Sequence, residues 1–135
     1  MSPELLVALG GAIIVASTLV VVTFRKLPKR VKSVYYVQKW REIQRMCSTK
    51  DDWGHAIIHA DMLLDEILLK KKFAGKTMGE RLVSAQKKFS SHDAVWNAHK
   101  FANSMRENVE QKVSETRVKE TLIAFRQALR DLGAL

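Results

Sequence analysis

The chain has 135 residues, 47% of them hydrophobic, with 23 Lys and Arg against 14 Asp and Glu for a net charge of +9. A single cysteine, Cys47, excludes an intramolecular disulfide and suits a reducing compartment. Beyond an apolar N-terminal run about a hundred residues remain, enough for one small domain with one core and too few for two.

That run is Leu5 to Phe24, twenty consecutive positions without a charged side chain. As a helix it covers about 30 Å, the thickness of a bilayer's hydrocarbon core. In lipid its backbone must satisfy its own hydrogen bonds, so the segment is predicted helical from end to end. Arg25, Lys26, Lys29, Arg30 and Lys32 follow at once, whereas residues 1–4 hold no Lys or Arg. The positive-inside rule therefore predicts a single-pass anchor, with residues 1–4 outside the cell membrane and the rest cytoplasmic. A cleaved signal peptide would carry its positive charge before the apolar run. Ala8, Ala12 and Ala16 form a small-residue face on this helix, compatible with close pairing of two copies.

Residues 25–33 read as a basic juxtamembrane linker in which Pro28 ends or kinks the membrane helix. Residues 25–50 carry nine Lys and Arg against Glu42 alone, while residues 51–135 carry fourteen against twelve acids. On this count the basic character belongs to the stem, continued by Lys39, Arg41, Arg45 and Lys50. Attraction to anionic headgroups explains such a patch, with a nucleic-acid backbone as the alternative ligand.

Residues 34–135 are predicted to form a cytoplasmic all-α bundle of four to five mostly antiparallel helices. Val34, Val37, Trp40 or Arg41, Ile43 and Met46 mark a helix over Val34–Cys47. Tyr35 and Tyr36 are expected at headgroup level. Ser48 to Asp52 supplies N-cap residues for a helix with the stripe Trp53, Ala56, Ile57, Ala60, Leu63, Leu64, Ile67 and Leu68, closed by Lys70, Lys71 and Lys72. Thr77-Met78-Gly79-Glu80 has capping-box spacing and opens a helix reaching to about Phe89. Ser90 to Asp93 caps the next, with Val95, Trp96, His99 and Met105, ending near Asn108 or Val113. Ser114 caps the last, with Val118, Leu122, Phe125, Leu129 and Leu132 inside and Gly133 as its stop.

Residues able to carry chemistry are few. Glycine-rich phosphate loops are absent, and Gly75-Lys76-Thr77 reads as a turn into the capping box. His55 and His59 have a spacing that can grip a metal, but the run His-Ala-Ile-Ile-His lacks the metalloprotease Glu, and two solvated histidines explain it better. No cofactor or metal is expected. Asp61 falls within an apolar stripe, where an unpaired carboxylate is costly, so a partner is expected among Lys100, Arg81 and the indole of Trp96. His99 is expected to bond to a neighbouring helix; with an acid nearby it would be a candidate general base. Asp61, His99, Lys100 and Asn103 thus form a candidate polar groove. Trp53 and Trp96 are expected to anchor the core, each with a partner for its indole N–H.

The stretches Trp53-Gly-His-Ala-Ile-Ile-His-Ala-Asp-Met-Leu-Leu-Asp65, Thr77-Met-Gly-Glu-Arg-Leu82, Trp96-Asn-Ala-His-Lys100 and Ala128-Leu-Arg-Asp-Leu-Gly-Ala-Leu135 resemble small proteins of candidate-phyla bacteria such as the Saccharibacteria. Those proteins look like compact HEPN domains, helical bundles associated with RNA cleavage and with RNA or nucleotide binding. In active HEPN ribonucleases an Arg and a His lie four to six residues apart near the end of a long helix, with Asn commonly after the Arg. The resemblance puts Ala102 and Glu107 at those positions and keeps Asn103, and no histidine occurs after His99. It therefore implies a degenerate HEPN domain, with no imidazole to move the proton of a ribose hydroxyl. The expected function is a membrane-anchored, non-catalytic module that binds a protein partner or a second copy of itself. An RNA- or nucleotide-binding module without nuclease activity is the alternative, using Lys39, Arg41, Arg45 and Lys50 with the groove around His99, Lys100 and Asn103. A residual ribonuclease is the third reading, and it would lose its activity in His99→Ala.

Overall fold

The computed structural model describes residues 2–26 and 32–135. Among them lie six α-helices, two 3-10 turns and no strand: α1 (Pro3–Lys26), α2 (Ser33–Met46), α3 (Trp53–Lys70), α4 (Met78–Ser84), α5 (His92–Glu107) and α6 (Glu115–Asp131). Pro28 and the middle of the basic linker, including Lys29 and Arg30, lie outside the described residues.

α1 is longer than the apolar run by two residues at each end, with Pro3 in its first turn, where a missing N–H costs nothing. Over Pro3–Val22 its mean hydropathy is 2.7 and none of that stretch is buried, so the helix is long and apolar enough to cross a membrane. The adjacent hydroxyls of Ser17 and Thr18 turn inward, both donating to the Ile14 carbonyl at 2.9 and 2.6 Å. That satisfies donors that lipid could not.

α3 is the spine of the bundle, packing against α2, α4, α5 and α6. Its predicted stripe is buried along its length except at Trp53, which is half-buried and donates its indole N–H to the Cys47 carbonyl at 2.9 Å. Burial pushes the Cys47 thiol pKa up, away from the thiolate a reactive cysteine needs. α2 keeps Trp40 and Ile43 of its predicted stripe in the core, with Val37 and Met46 partly buried, but begins that stripe at Tyr36 rather than Val34. Tyr36, Trp40 and Ile43 face the core at helical spacing, and Val34 is 73% exposed. Tyr36 is thus a core residue rather than a headgroup anchor, because an aromatic ring removes more apolar surface from water than a valine. Tyr35 stays at the surface, its hydroxyl donating to Glu66.

Helix ends follow the local chemistry in most cases. Thr77 and Glu80 form the capping box, and Ser91 and Ser114 cap α5 and α6 by accepting the N–H groups of Ala94 and Arg117. Gly133 takes φ +75° and lets the Ala134 N–H reach the Leu129 carbonyl at 2.9 Å. Two expectations fail. The polar run before α3 forms a 3-10 turn over Lys50–Asp52, and no side chain from it caps the helix. α4 stops at Ser84, and a 3-10 turn over Gln86–Lys88 delivers Phe89 in extended backbone into the core. No breaker residue signals that stop; the chain must reverse there, and a tightened last turn achieves it.

At the end of α3 the position that commonly takes glycine holds Lys72 at φ +59°. The Phe73 N–H reaches back to the Leu68 carbonyl at 3.1 Å, as a Schellman turn requires. A side chain in that conformation costs about 1 kcal/mol. Lys72→Gly is therefore expected to stabilise the chain by less than that, about 0.5 kcal/mol, because glycine's greater unfolded-state freedom offsets part of the gain. Urea denaturation of both proteins in the same detergent measures it; an unchanged or lower midpoint contradicts the argument.

Candidate functional site

The candidate groove lies between α3, α5 and the start of α4. Asp61 is completely buried and bridges two helices. His99 Nδ1 donates to its Oδ1 at 2.9 Å, and Arg106 Nη2 donates to its Oδ2 at 2.7 Å. Asn103 closes the circuit, its amide donating to His99 Nε2 at 3.4 Å while its Oδ1 accepts from Arg106 at 2.8 Å. Both faces of the imidazole are thus engaged, with Nδ1 the donor and Nε2 the acceptor. Trp96 lies beside the ring at 6.0 Å between centroids, and His92 lies on the other side of Trp96 at 6.1 Å.

The expectation that Asp61 must have a partner holds, but the partner differs. Arg81 is taken by Asp65, through a fork of two bonds at 2.8 and 2.9 Å, and also donates to the Gly75 carbonyl at 3.1 Å. The hydrogen bond to Asp65 holds the Arg81 pKa above its ordinary value. Lys100 does not belong to the groove. It lines a separate α5–α6 hollow with Phe101, Ser104 and Arg117, whose guanidinium stacks 4.4 Å from the Phe101 centroid. Helix geometry explains this: Lys100 lies about 100° around α5 from His99, whereas Asn103 and Arg106, four and seven residues on, share its face. Arg106 is the residue that sequence reasoning missed: its seven-residue spacing from His99 puts the two on one face of α5, but only the packing of α5 on α3 hands it to Asp61.

The groove itself is an open cleft of about 450 Å³, lined among others by Asp61, Asp65, Thr77, His99, Asn103 and Arg106. It exposes the Asp65 carboxylate and the Arg106 guanidinium, with Asp61 buried behind them, and that guanidinium already serves Asp61. His55 and His59 are exposed on α3, and among the described residues no group of three His, Cys, Asp or Glu is placed to hold a metal ion.

The basic patch is dispersed. Lys39 bonds to Glu42 at 3.5 Å on the half-buried side of α2, near Tyr35. Arg41 and Arg45 are exposed and share another face, four residues apart. Lys50 lies beyond the far end of α2, 5.9 Å from the Trp53 ring. Arg25 and Lys26 fall in the last turn of α1, and Lys32 directly precedes α2. Ala8, Ala12 and Ala16 are exposed along α1.

No protein family matches the chain, and neither a curated protein nor a solved structure matches it.

Proposed function

We propose that this chain is a single-pass membrane protein whose helical bundle is a non-catalytic, cytoplasmic interaction module for a protein partner or a second copy. The observation that carries the reading is α1, an apolar helix of bilayer length with no part of its span buried. Water would not tolerate that surface on a lone helix. The basic residues after it orient the bundle to the cytoplasm. The non-catalytic part draws support from the groove, where Asp61, His99, Asn103 and Arg106 satisfy one another. A phosphodiester entering there would meet the Asp65 carboxylate and no uncommitted cation. On this reading the likeness to HEPN bundles is one of ancestry, with the ribose-activating histidine lost.

The test uses the full chain in native membranes. It should resist alkaline extraction, and protease should remove the bundle in inside-out vesicles and spare it in right-side-out ones. Purified in micelles, it should neither cleave nor retain labelled single-stranded RNA at low salt. RNA retention that falls steeply with salt and vanishes in Lys39/Arg41/Arg45→Ala would favour the nucleic-acid module instead. Cleavage abolished by His99→Ala would overturn the non-catalytic reading outright.

A further inference from the structure

The charge count along the chain places the positive excess in the stem and leaves the bundle nearly neutral, but the fold sorts the bundle's charges by position. α2 starts, and α3 and α6 finish, at one end of the bundle. The Ser33 hydroxyl reaches the Gly133 carbonyl at 3.5 Å, and the Lys70 ammonium lies 5.2 and 5.3 Å from the Tyr35 and Tyr36 centroids. The turn before α5 joins the same end, with Ser90 donating its N–H and hydroxyl to Asp131 at 2.7 and 2.8 Å. Lys70, Lys71, Lys72, Lys87, Lys88 and Arg130 therefore gather beside Lys32 at this end. Its carboxylates are Glu66, Asp93 and Asp131, of which Glu66 pairs with Lys70 and Asp131 is bound by Ser90 and Gln127. Among the described residues no ion pair neutralises Lys71, Lys72, Lys87, Lys88 or Arg130. The opposite end balances Asp51, Asp52, Glu107, Glu110 and Glu115 against a similar number of cations.

We infer that this cationic end is a docking surface for anionic lipid headgroups, so that the bundle lies down on the leaflet rather than floating on its tether. The inference rests on the membrane-anchor reading, and the tether decides which anion is met. Only residues 27–32 separate α1 from α2, a span of at most about 20 Å when fully extended. The cationic end is where that tether attaches, so the leaflet is held within reach of its lysines. Each contributes attraction that fades beyond about 8 Å at physiological salt. Val34 and Tyr35, exposed at the same edge, have the character of interfacial side chains.

Amide exchange of the full chain in nanodiscs tests this, comparing phosphatidylcholine alone with a phosphatidylserine mixture. Segments 70–73 and 86–90 should exchange about fivefold more slowly on the anionic discs, with the difference lost at high salt. Segment 107–114, at the opposite end, should not change. Lys71/Lys72/Lys87/Lys88→Gln should abolish the difference while its melting temperature stays close to wild type, and it should remain in the disc. Equal exchange on both lipids by a chain that stays in the disc overturns docking and leaves the anchor intact. A chain that leaves the disc overturns the anchor itself. Protection elicited on neutral discs by inorganic phosphate would assign the site to a soluble anion and also overturn the lipid surface.

Discussion

Asp61→Ala lowers the stability of the full chain by about 3 kcal/mol, the order expected when one member of a buried charge network is removed and its partners remain. His99 then keeps a buried Nδ1–H with no acceptor, and Arg106 loses the carboxylate that completes its contacts. For a bundle of this size that loss moves the melting temperature down by more than about 10 °C. Arg106→Ala costs clearly less, because its side chain is 36% exposed and water re-solvates what remains around it. His99→Ala falls between them, since it opens a cavity beside Trp96 but leaves Arg106 on Asp61. Denaturation of the three variants in one detergent ranks them. If Asp61→Ala cost under about 1 kcal/mol, the network would be ornamental and the groove would be free to serve a ligand.

Arg81→Ala is the second large loss, about 2–3 kcal/mol. Arg81 is 8% exposed and bonds simultaneously to both oxygens of Asp65 and to the Gly75 carbonyl, pinning the turn before α4 against α3. Truncation strands Asp65 and releases that turn together. Arg81→Lys recovers little, because an ammonium cannot reproduce the planar fork that meets a carboxylate with two parallel bonds. Asp65→Asn should be milder than Arg81→Ala, since Asp65 is partly solvated and the amide still accepts one bond. Proteolysis near Gly75 offers an independent measure: cleavage should rise in Arg81→Ala and stay low in Asp61→Ala, which loosens a different junction.

How far these sites were legible depends on the range over which each is built. The capping box at Thr77 and Glu80, the serine caps at Ser91 and Ser114 and the glycine stop at Gly133 are local, so a few adjacent residues specify them. The burial of α3 followed from its 3.6-residue stripe, and the anomaly of Asp61 within that stripe announced a partner before the partner was visible. Which partner it takes was not legible, because Arg81, Lys100 and Arg106 all lie within plausible reach in sequence. Only the rotation of α5 against α3 selects Arg106 and turns Lys100 toward α6. The start of the α2 stripe, at Tyr36 rather than Val34, was missed for a related reason. Its valines and its aromatics offer two competing stripes, and the competition is settled by what α3 presents opposite them.

The sequence by itself determined an apolar helix of bilayer length, a positively charged flank, an all-helical bundle and the positions of most helix ends. These depend on composition and short-range periodicity, which act wherever the segment lies. Tertiary structure alone decided that Asp61 is shared by His99 and Arg106, that Arg81 belongs to Asp65, and that lysines from three separated segments collect at the end carrying the tether. Electrostatic and hydrogen-bond energies depend on distance in space, and a chain folded back on itself within the bundle brings together charges that a count along the sequence keeps apart.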